Sequence, residues 1–542
     1  MKKISLILLT VIFFTAVFTS CKNSLSGKIT IADGKEPFTL NQDMVSRLAA
    51  LAVTGNCKLD EQQVEDNVIS ALSALSENGN ERAAVTVKDF SLSAPKVATL
   101  KAPATFGKTE RSANIQDFDD INLYLYSTNE GKDNEGWVLA SNDRRVGTII
   151  AVVDGKYSED DEMENGNESE VSFMDIFYAG LEEHILETVY TWNSLTEEDI
   201  RAALSNTEIV TSGKYTYNNW KMYDKYGEPM RFVGWHQDSP FANAVRVMKN
   251  NPYYIAGCGP VALAQIFTYH EWPERCSEVQ YRELKQKWGA AKNWDGVYDW
   301  TVLGEGYVED GYFDWLSDDD ISDFKINAGA LLYDIGVYSH AEYEIKLDNE
   351  GNLILNKEGA PIAQTGINIT GAKDALTHYG YVYDDVCDYN DKTHKILVDS
   401  LRHNCPLYFR GSALQERYPN GKWYSTGGHA WVVSACLTLS CDVFDGSTKI
   451  AQINDDFLYC IPGWKKTEAG ICFNGYYLAN AFDFRDRHRV SDWESLISAE
   501  RDWYIRKKIE QHERAATAKR GESKYYQFDV KMIPNIRPEE DD

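Results

Sequence analysis

Basic residues are scarce in this chain: 55 Lys and Arg stand against 83 Asp and Glu, a formal net charge of −28 over 542 residues. Neutralising a phosphate backbone takes clustered Lys and Arg, so nucleic acid is not an expected partner. Beyond residue 18 no run reaches the roughly 18 apolar residues that a membrane-spanning helix requires. The cysteines form no CxxC pair and no histidine is spaced among them as a zinc site demands, so no metal and no cofactor is expected. Asp318 to Asp320 and Asp384-Asp385 lack the alternating ligands and glycine of a calcium loop and read as solvated turns. No internal repeat is visible. What the chain does have is apolar material: 43% hydrophobic residues with 14 Trp and 32 Tyr, enough for one or more large cores in a length that accommodates two to four domains.

The N-terminus sets the expected compartment. Lys2 and Lys3 precede a mostly apolar run from Ile4 to Phe18, too short to span a bilayer comfortably, and Thr19-Ser20-Cys21 follows, which reads as a secretory signal over residues 1–20. The stretch resembles a bacterial lipobox, which implies that Cys21 is lipidated, becomes the first mature residue and anchors an exported lipoprotein to a membrane of the cell envelope, facing the periplasm or the outside. The alternative is an ordinary signal peptide with Cys21 near its cut. Export permits disulfides, and Cys387, Cys405, Cys436, Cys441, Cys460 and Cys472 are candidates for pairing with no connectivity assignable from sequence.

Residues 21–38 are polar and read as a tether. From Thr39 to Leu75 apolar positions recur at helical spacing with a break around Gly55, which predicts two short helices. Ile121 to Tyr126, Gly136 to Ala140 and Gly147 to Val153 predict a small antiparallel sheet with a turn at Asp143-Arg144-Arg145. These make an α+β unit over 39–160. An acidic run from Ser158 to Glu170 cannot pack against itself. A helical segment from Met174 to Asn193 and an aperiodic polar and aromatic stretch complete an expected connector over 161–225. A second domain of mixed helix and strand is placed at 226–490, and a charged helical extension at 491–542.

The segment Tyr254 to His270 carries the chemistry. Gly257 allows a tight turn, Pro260 suits a first helical turn, and Val261, Ala262, Ile266 and Tyr269 follow at helical spacing, so Cys258 sits at a helix N-terminus. Unpaired N–H groups and the positive end of the helix dipole favour a thiolate there. Its proton partner is His429, preceded by Gly427-Gly428 and followed by the strand-like Ala430-Trp-Val-Val433. Either residue alone is more often structural; together, in this order, they match the logic of a cysteine hydrolase.

These residues resemble the streptopain family of bacterial cysteine peptidases. The resemblance rests on Ala256-Gly-Cys258, the helix running into Ala264-Gln-Ile-Phe-Thr-Tyr-His-Glu-Trp-Pro273, Gly427-Gly-His-Ala-Trp-Val-Val433, Trp235-His-Gln-Asp-Ser-Pro240, Tyr298-Asp-Trp300, the helix Ala328 to Gly336, Asn404-Cys-Pro-Leu-Tyr408 and Asn474 to Asn480. It spans roughly 39 to 484. It implies an α+β fold, a papain-like two-part domain preceded by a small propeptide-like domain, acting on polypeptide substrates through a Cys258/His429 dyad. It further implies that Gln237 helps to hold the oxyanion, that Gly428 and Trp464 line the substrate site, and that residues 39–160 are the enzyme's own inhibitory propeptide. One departure stands out: where the family carries Asn-Trp-Gly-Trp before the closing strand, the Asn and first Trp orienting and shielding the histidine, this chain has Ile461-Pro-Gly-Trp464. Asn454, Asp455 and Asp456 lie nearby as substitutes. A second reading is therefore a peptidase-fold lipoprotein that binds peptide or a surface partner without turnover, and a third is an amidase or acyltransferase on the same dyad.

Overall fold

The structure is a computed structural model that describes residues 28–29, 38–39, 42–55, 57–77, 91–100, 118, 120–130, 135–157, 173–204, 215–230, 235–305, 318–347, 350–355, 359–416, 423–463, 473–484 and 526–539. The signal segment with Cys21, the acidic run 158–170, Trp464, Cys472 and the charged stretch 485–525 lie outside the described residues.

The architecture is α+β. Helices α1 (Gln42–Thr54) and α2 (Glu61–Glu77) bury Leu48, Leu51, Val64, Val68 and Leu72. Gly55 separates them at φ +66°, its N–H reaching back to the Leu51 carbonyl at 2.9 Å, a left-handed helix stop that glycine adopts without a Cβ penalty. Strands β1 (Lys96–Leu100), β2 (Ile121–Thr128), β3 (Gly136–Ser141) and β4 (Ile149–Asp154) form an antiparallel meander. The turn between β3 and β4 is not a solvated one. Arg145 and Asp143 are buried as a two-point ion pair, Nε to Oδ1 at 2.9 Å and Nη2 to Oδ2 at 2.7 Å, with the guanidinium over the Phe118 ring.

Helix α3 (Phe173–Ser194), strands β5 (Tyr215–Tyr217) and β6 (Lys221–Gly227), helices α4 (Cys258–His270) and α5 (Asp318–Tyr338), and the hairpin strands β7 (Glu342–Ile345) and β8 (Ala363–Gly366) follow. The chain then runs through the short strands β9 (Tyr381–Val382) and β10 (Cys387–Asp388) into β11 (Leu407–Glu416), β12 (Trp423–Asp445), β13 (Thr448–Ile461) and β14 (Gly475–Leu478), and ends in β15 (Tyr526–Ile533) and β16 (Arg537–Pro538). One twelve-stranded sheet takes the order β10-β15-β11-β12-β13-β14-β4-β3-β2-β1, with β5 and β6 also paired to β12.

That topology corrects three expectations. The meander is not a separate small sheet, because β4 pairs with β14 through Val153↔Gly475, Val152↔Tyr476 and Ala151↔Tyr477. The stretch 161–225 is not a connector: α3 is buried along most of its length, and the boundary placed near residue 225 falls inside β6, which is hydrogen-bonded to β12. The extension 491–542 returns to the fold, since β15 pairs with β11 from Gln415↔Tyr526 to Tyr408↔Ile533 and buries Val530 and Met532.

Alternation along the sheet feeds two cores. Leu407, Phe409, Trp431, Val433, Cys460, Val530 and Met532 join α1, α2, α3 and the meander in one. Tyr408, Ala430, Val432, Tyr459, Ile461 and Ile533 join α4 and α5 in the other. Central strands thus lie between α3 on one face and the cysteine-bearing helix on the other.

The expected disulfides are absent among the described residues, where no disulfide joins any of Cys57, Cys258, Cys276, Cys387, Cys405, Cys436, Cys441 and Cys460. The register explains it for the strands: Cys436 stands opposite Leu458, Cys441 opposite Ile453 and Cys460 opposite Val433. They serve as small core fillers, and burial pushes the Cys441 thiol up to about 11.

His270 closes α4 with its Nε2 at 2.9 Å from the Ile536 carbonyl, and burial lowers its pKa from 6.5 to about 4. Between those two values the unfolded chain takes up a proton that the folded chain refuses, so stability falls as pH drops from about 6.5 to 4 and levels off below. At about 1.4 kcal/mol per unit the contribution is about 3 kcal/mol. Denaturant unfolding at pH 7, 5.5 and 4 is expected to show that acid loss in the wild type and not in His270→Asn, which keeps a donor for the carbonyl.

Candidate active site

Helix α4 begins where it does because of what surrounds its first turn. Gly257 has φ +94°, and a Cβ there would stand 2.8 Å from Thr365 Cγ2 at the end of β8, so only glycine fits. The helix's first bond runs from the Val261 N–H to the Gly257 carbonyl at 3.1 Å. Pro260 sits in the first turn, where a missing N–H costs nothing. A larger residue is excluded at 259, because its Cβ would lie 2.3 Å from Ile367 Cγ1 and 3.2 Å from the Tyr408 hydroxyl. Cys258 is half-buried at the start of this helix, with Val261, Ala262, Leu263 and Ala264 buried behind it. Helix starts combine N–H groups lacking intrahelical acceptors with a partial positive charge, surroundings that favour a thiolate.

Gln237 lies beside this turn. Its carbonyl accepts a 2.7 Å hydrogen bond from the N–H of Ala256, two residues before Cys258, and its half-buried position is fixed on both sides. Trp235 is buried in the same core as α4, and Arg246 ties Asp238 to the Tyr254 carbonyl, the latter at 2.9 Å.

His429 stands on β12 opposite Gly411 and is 3% exposed. Its Nε2 is 2.7 Å from the backbone carbonyl oxygen of Pro462. A carbonyl oxygen only accepts, so Nε2 carries the proton and Nδ1 is the basic nitrogen of the neutral ring. This settles what Ile461-Pro462 does to the histidine: the orienting acceptor is supplied by the main chain instead of a side chain. Asn454, Asp455 and Asp456 do not substitute. Asp455 is buried against Arg47 of α1, and Asp456 accepts from the Thr438 hydroxyl at 2.6 Å.

The histidine corner and the cysteine helix converge. Ile461 pairs with Val432 at the end of β13, Pro462 follows, and the next residue, Gly463 at φ +71°, is pressed on α4 so closely that a Cβ would lie 2.8 Å from Val261 Cγ1. Val261 is one helical turn beyond Cys258. Gly428, next to His429, pairs with Ser412, and a Cβ there would stand 2.5 Å from the Gly411 carbonyl, so the strand is bare beside the histidine. The Pro462 carbonyl that meets His429 thus lies next to the residue packed on the first turn of α4, the turn that Cys258 opens; Trp464 and Cys21 lie outside the described residues.

Two contributors escape sequence reasoning. A main-chain acceptor such as the Pro462 carbonyl has no residue signature. Tyr408 carries an ordinary core signature, yet its buried hydroxyl lies under the first turn without a hydrogen-bond partner. Among the described residues no group of three or more His, Cys, Asp or Glu side chains is placed to hold a metal ion, and no helix is long and apolar enough to cross a membrane.

A cysteine opening a buried helix, with a histidine whose ring meets a carbonyl just past the adjoining strand, is an arrangement compatible with the chemistry of cysteine hydrolases. Residues 235–454 match the family model described as the Peptidase C10 family, the streptopain family that the sequence resembles, and this supports a cysteine peptidase. The matched segment contains Gln237, Cys258 and His429 and ends before Pro462. No curated protein and no solved structure matches the chain.

Proposed function

We propose that the protein is an exported, lipid-anchored cysteine endopeptidase working through a Cys258/His429 dyad. The observation that carries the reading is the 2.7 Å contact of His429 Nε2 with the Pro462 carbonyl, which leaves Nδ1 basic at the corner where α4 begins. In the reaction His429 takes the proton of Cys258, and Sγ bonds to the scissile carbonyl carbon. The negative charge moves to the carbonyl oxygen, which Gln237 and the Cys258 N–H stabilise. Collapse breaks the C–N bond, the amine leaves with the proton from His429, and water then hydrolyses the thioester.

The binding-only reading was motivated by the missing acceptor at Ile461, and the Pro462 carbonyl removes that motive. Anchoring at Cys21 rests on the lipobox resemblance alone. The N-terminal unit enters this reading as part of the core, because its buried residues join the cluster on the α3 face of the sheet rather than the one packed on α4.

Alkylation tests the dyad. Cys258 is expected to react with a small thiol reagent at pH 6 to 7, ahead of the buried thiols, and His429→Ala to slow it; a thiol that reacts only as pH nears about 8.5 would contradict the reading.

A further inference from the structure

The sequence suggests an inhibitory propeptide, and an inhibitor that is shed should meet its enzyme across a surface both partners can leave. The contact between residues 42–157 and the rest of the chain is of another kind. Its first part is a main-chain ladder: Asp154 N–H donates to the Asn474 carbonyl at 2.8 Å, and β4 continues the sheet along β14. At Gly475 the two backbones are so close that a Cβ would lie 2.5 Å from the Val152 carbonyl oxygen and 2.6 Å from the Val153 Cα. The Tyr459 hydroxyl, from the next strand inward, donates to Asp154 Oδ2 at 3.0 Å.

Its second part is buried polar pairing. Arg47 of α1 reaches across to Asp455 on β13, whose carboxylate is wholly buried, and its other guanidinium nitrogen donates to the Arg144 carbonyl at 2.6 Å. Trp220 donates from its backbone to Ser70 Oγ at 2.7 Å and from its indole to Asn67 Oδ1 at 2.8 Å on α2. Thr54 and Tyr217 share a 2.8 Å hydroxyl contact, and Arg144 lies 4.0 Å over the Tyr217 ring. The third part is a shared core: Phe118, Val146 and Trp192 of α3 belong to one hydrophobic cluster that runs from Met44 to Met532, with the Arg145 guanidinium over Trp192 and His184 Nε2 3.0 Å from the Val146 carbonyl beside it.

We propose that residues 42–157 are a permanent structural half of the catalytic unit and stay bound to the central sheet after any cut between Tyr157 and Phe173. Their departure would open the β14 edge, strand the Asp455 carboxylate without its cation and expose the Trp192 face of α3, losses of the kind that unfold a domain rather than release a partner.

The test uses the full chain carrying Cys258→Ala and an inserted recognition site for an added protease between Tyr157 and Phe173. After complete cutting, confirmed on a denaturing gel, the two pieces are expected to co-elute at the volume of the uncut protein and to part only in denaturant. Elution of the N-terminal piece by itself under native conditions would overturn the proposal. A parallel sample with Cys258 intact, cut in the same way, is expected to keep its alkylation rate. The proposal leans on the peptidase reading in that arm alone: absence of labelling before and after cutting counts against the peptidase, whereas labelling that is lost on cutting with the pieces still together overturns the claim that the cut leaves the catalytic unit intact.

Discussion

Cys258→Ala is expected to reduce polypeptide hydrolysis to background, a loss of about a million-fold in kcat if removal of the nucleophile here costs what it does in other acyl-transfer hydrolases. The expectation follows from the order of events: without Sγ there is no thioester, and the remaining oxyanion donors and the histidine can at best assist attack by water. The same change should leave the fold alone. Cys258 is half-buried at a helix start, alanine is the best helix former, and the residues holding the turn are Gly257, Gly259 and the walls at Thr365 and Ile367. Hydrolysis of a quenched fluorescent polypeptide, read beside thermal unfolding of the same samples, separates the two effects. Activity that survives with an unchanged melting curve would place the nucleophile elsewhere.

Local signals carried much of this fold. Helix α4 was readable because Gly257, Pro260 and the apolar positions after them fix a start and a period, and β2 to β4 were readable from alternation and turn residues. The joining of β4 to β14 was not, since it pairs Val153 with Gly475 across the length of the chain and nothing near either residue states the register. Two signals were present and under-read. The segment Tyr526–Ile533 alternates Phe528, Val530 and Met532, a strand pattern overshadowed by the charged residues before it and the acidic tail after it. Helix α3 carries a wide apolar face through Phe173, Phe177, Leu181, Ile185 and Val189, as suits a helix packed into a core rather than one in a linker. The cysteine count misled because the pairing rule considers compartment and number, whereas the ladder sets Cys436, Cys441 and Cys460 opposite Leu458, Ile453 and Val433. Of the candidate site, sequence singled out Cys258, Gln237 and His429 but judged the histidine by its missing side-chain partner, whereas its ring meets the Pro462 carbonyl.

That carbonyl makes a second large and asymmetric effect. His429→Gln should cost about 10⁴ in kcat or more, because it removes both the base for the thiol and the acid for the leaving amine. Pro462→Ala, by contrast, keeps the carbonyl that His429 Nε2 meets at 2.7 Å, and its activity should stay within roughly tenfold of the wild type, a difference of about 1.4 kcal/mol. A side-chain acceptor behaves the other way: its replacement by alanine misplaces the tautomer and forfeits most of the rate. Main-chain support also has a geometric cost that the fold meets with Gly463, whose positive φ and 2.8 Å approach to Val261 let the chain turn immediately after the carbonyl is aimed. Gly463→Ala should therefore be worse than Pro462→Ala even though it lies further from the ring, since a Cβ would push the corner off α4 and swing the carbonyl away from Nε2. Steady-state kcat for the three variants, with the pH profile of kcat/KM to follow the histidine, decides the matter: a Pro462→Ala loss as deep as that of His429→Gln would mean that the proline ring, and not the carbonyl, holds the imidazole.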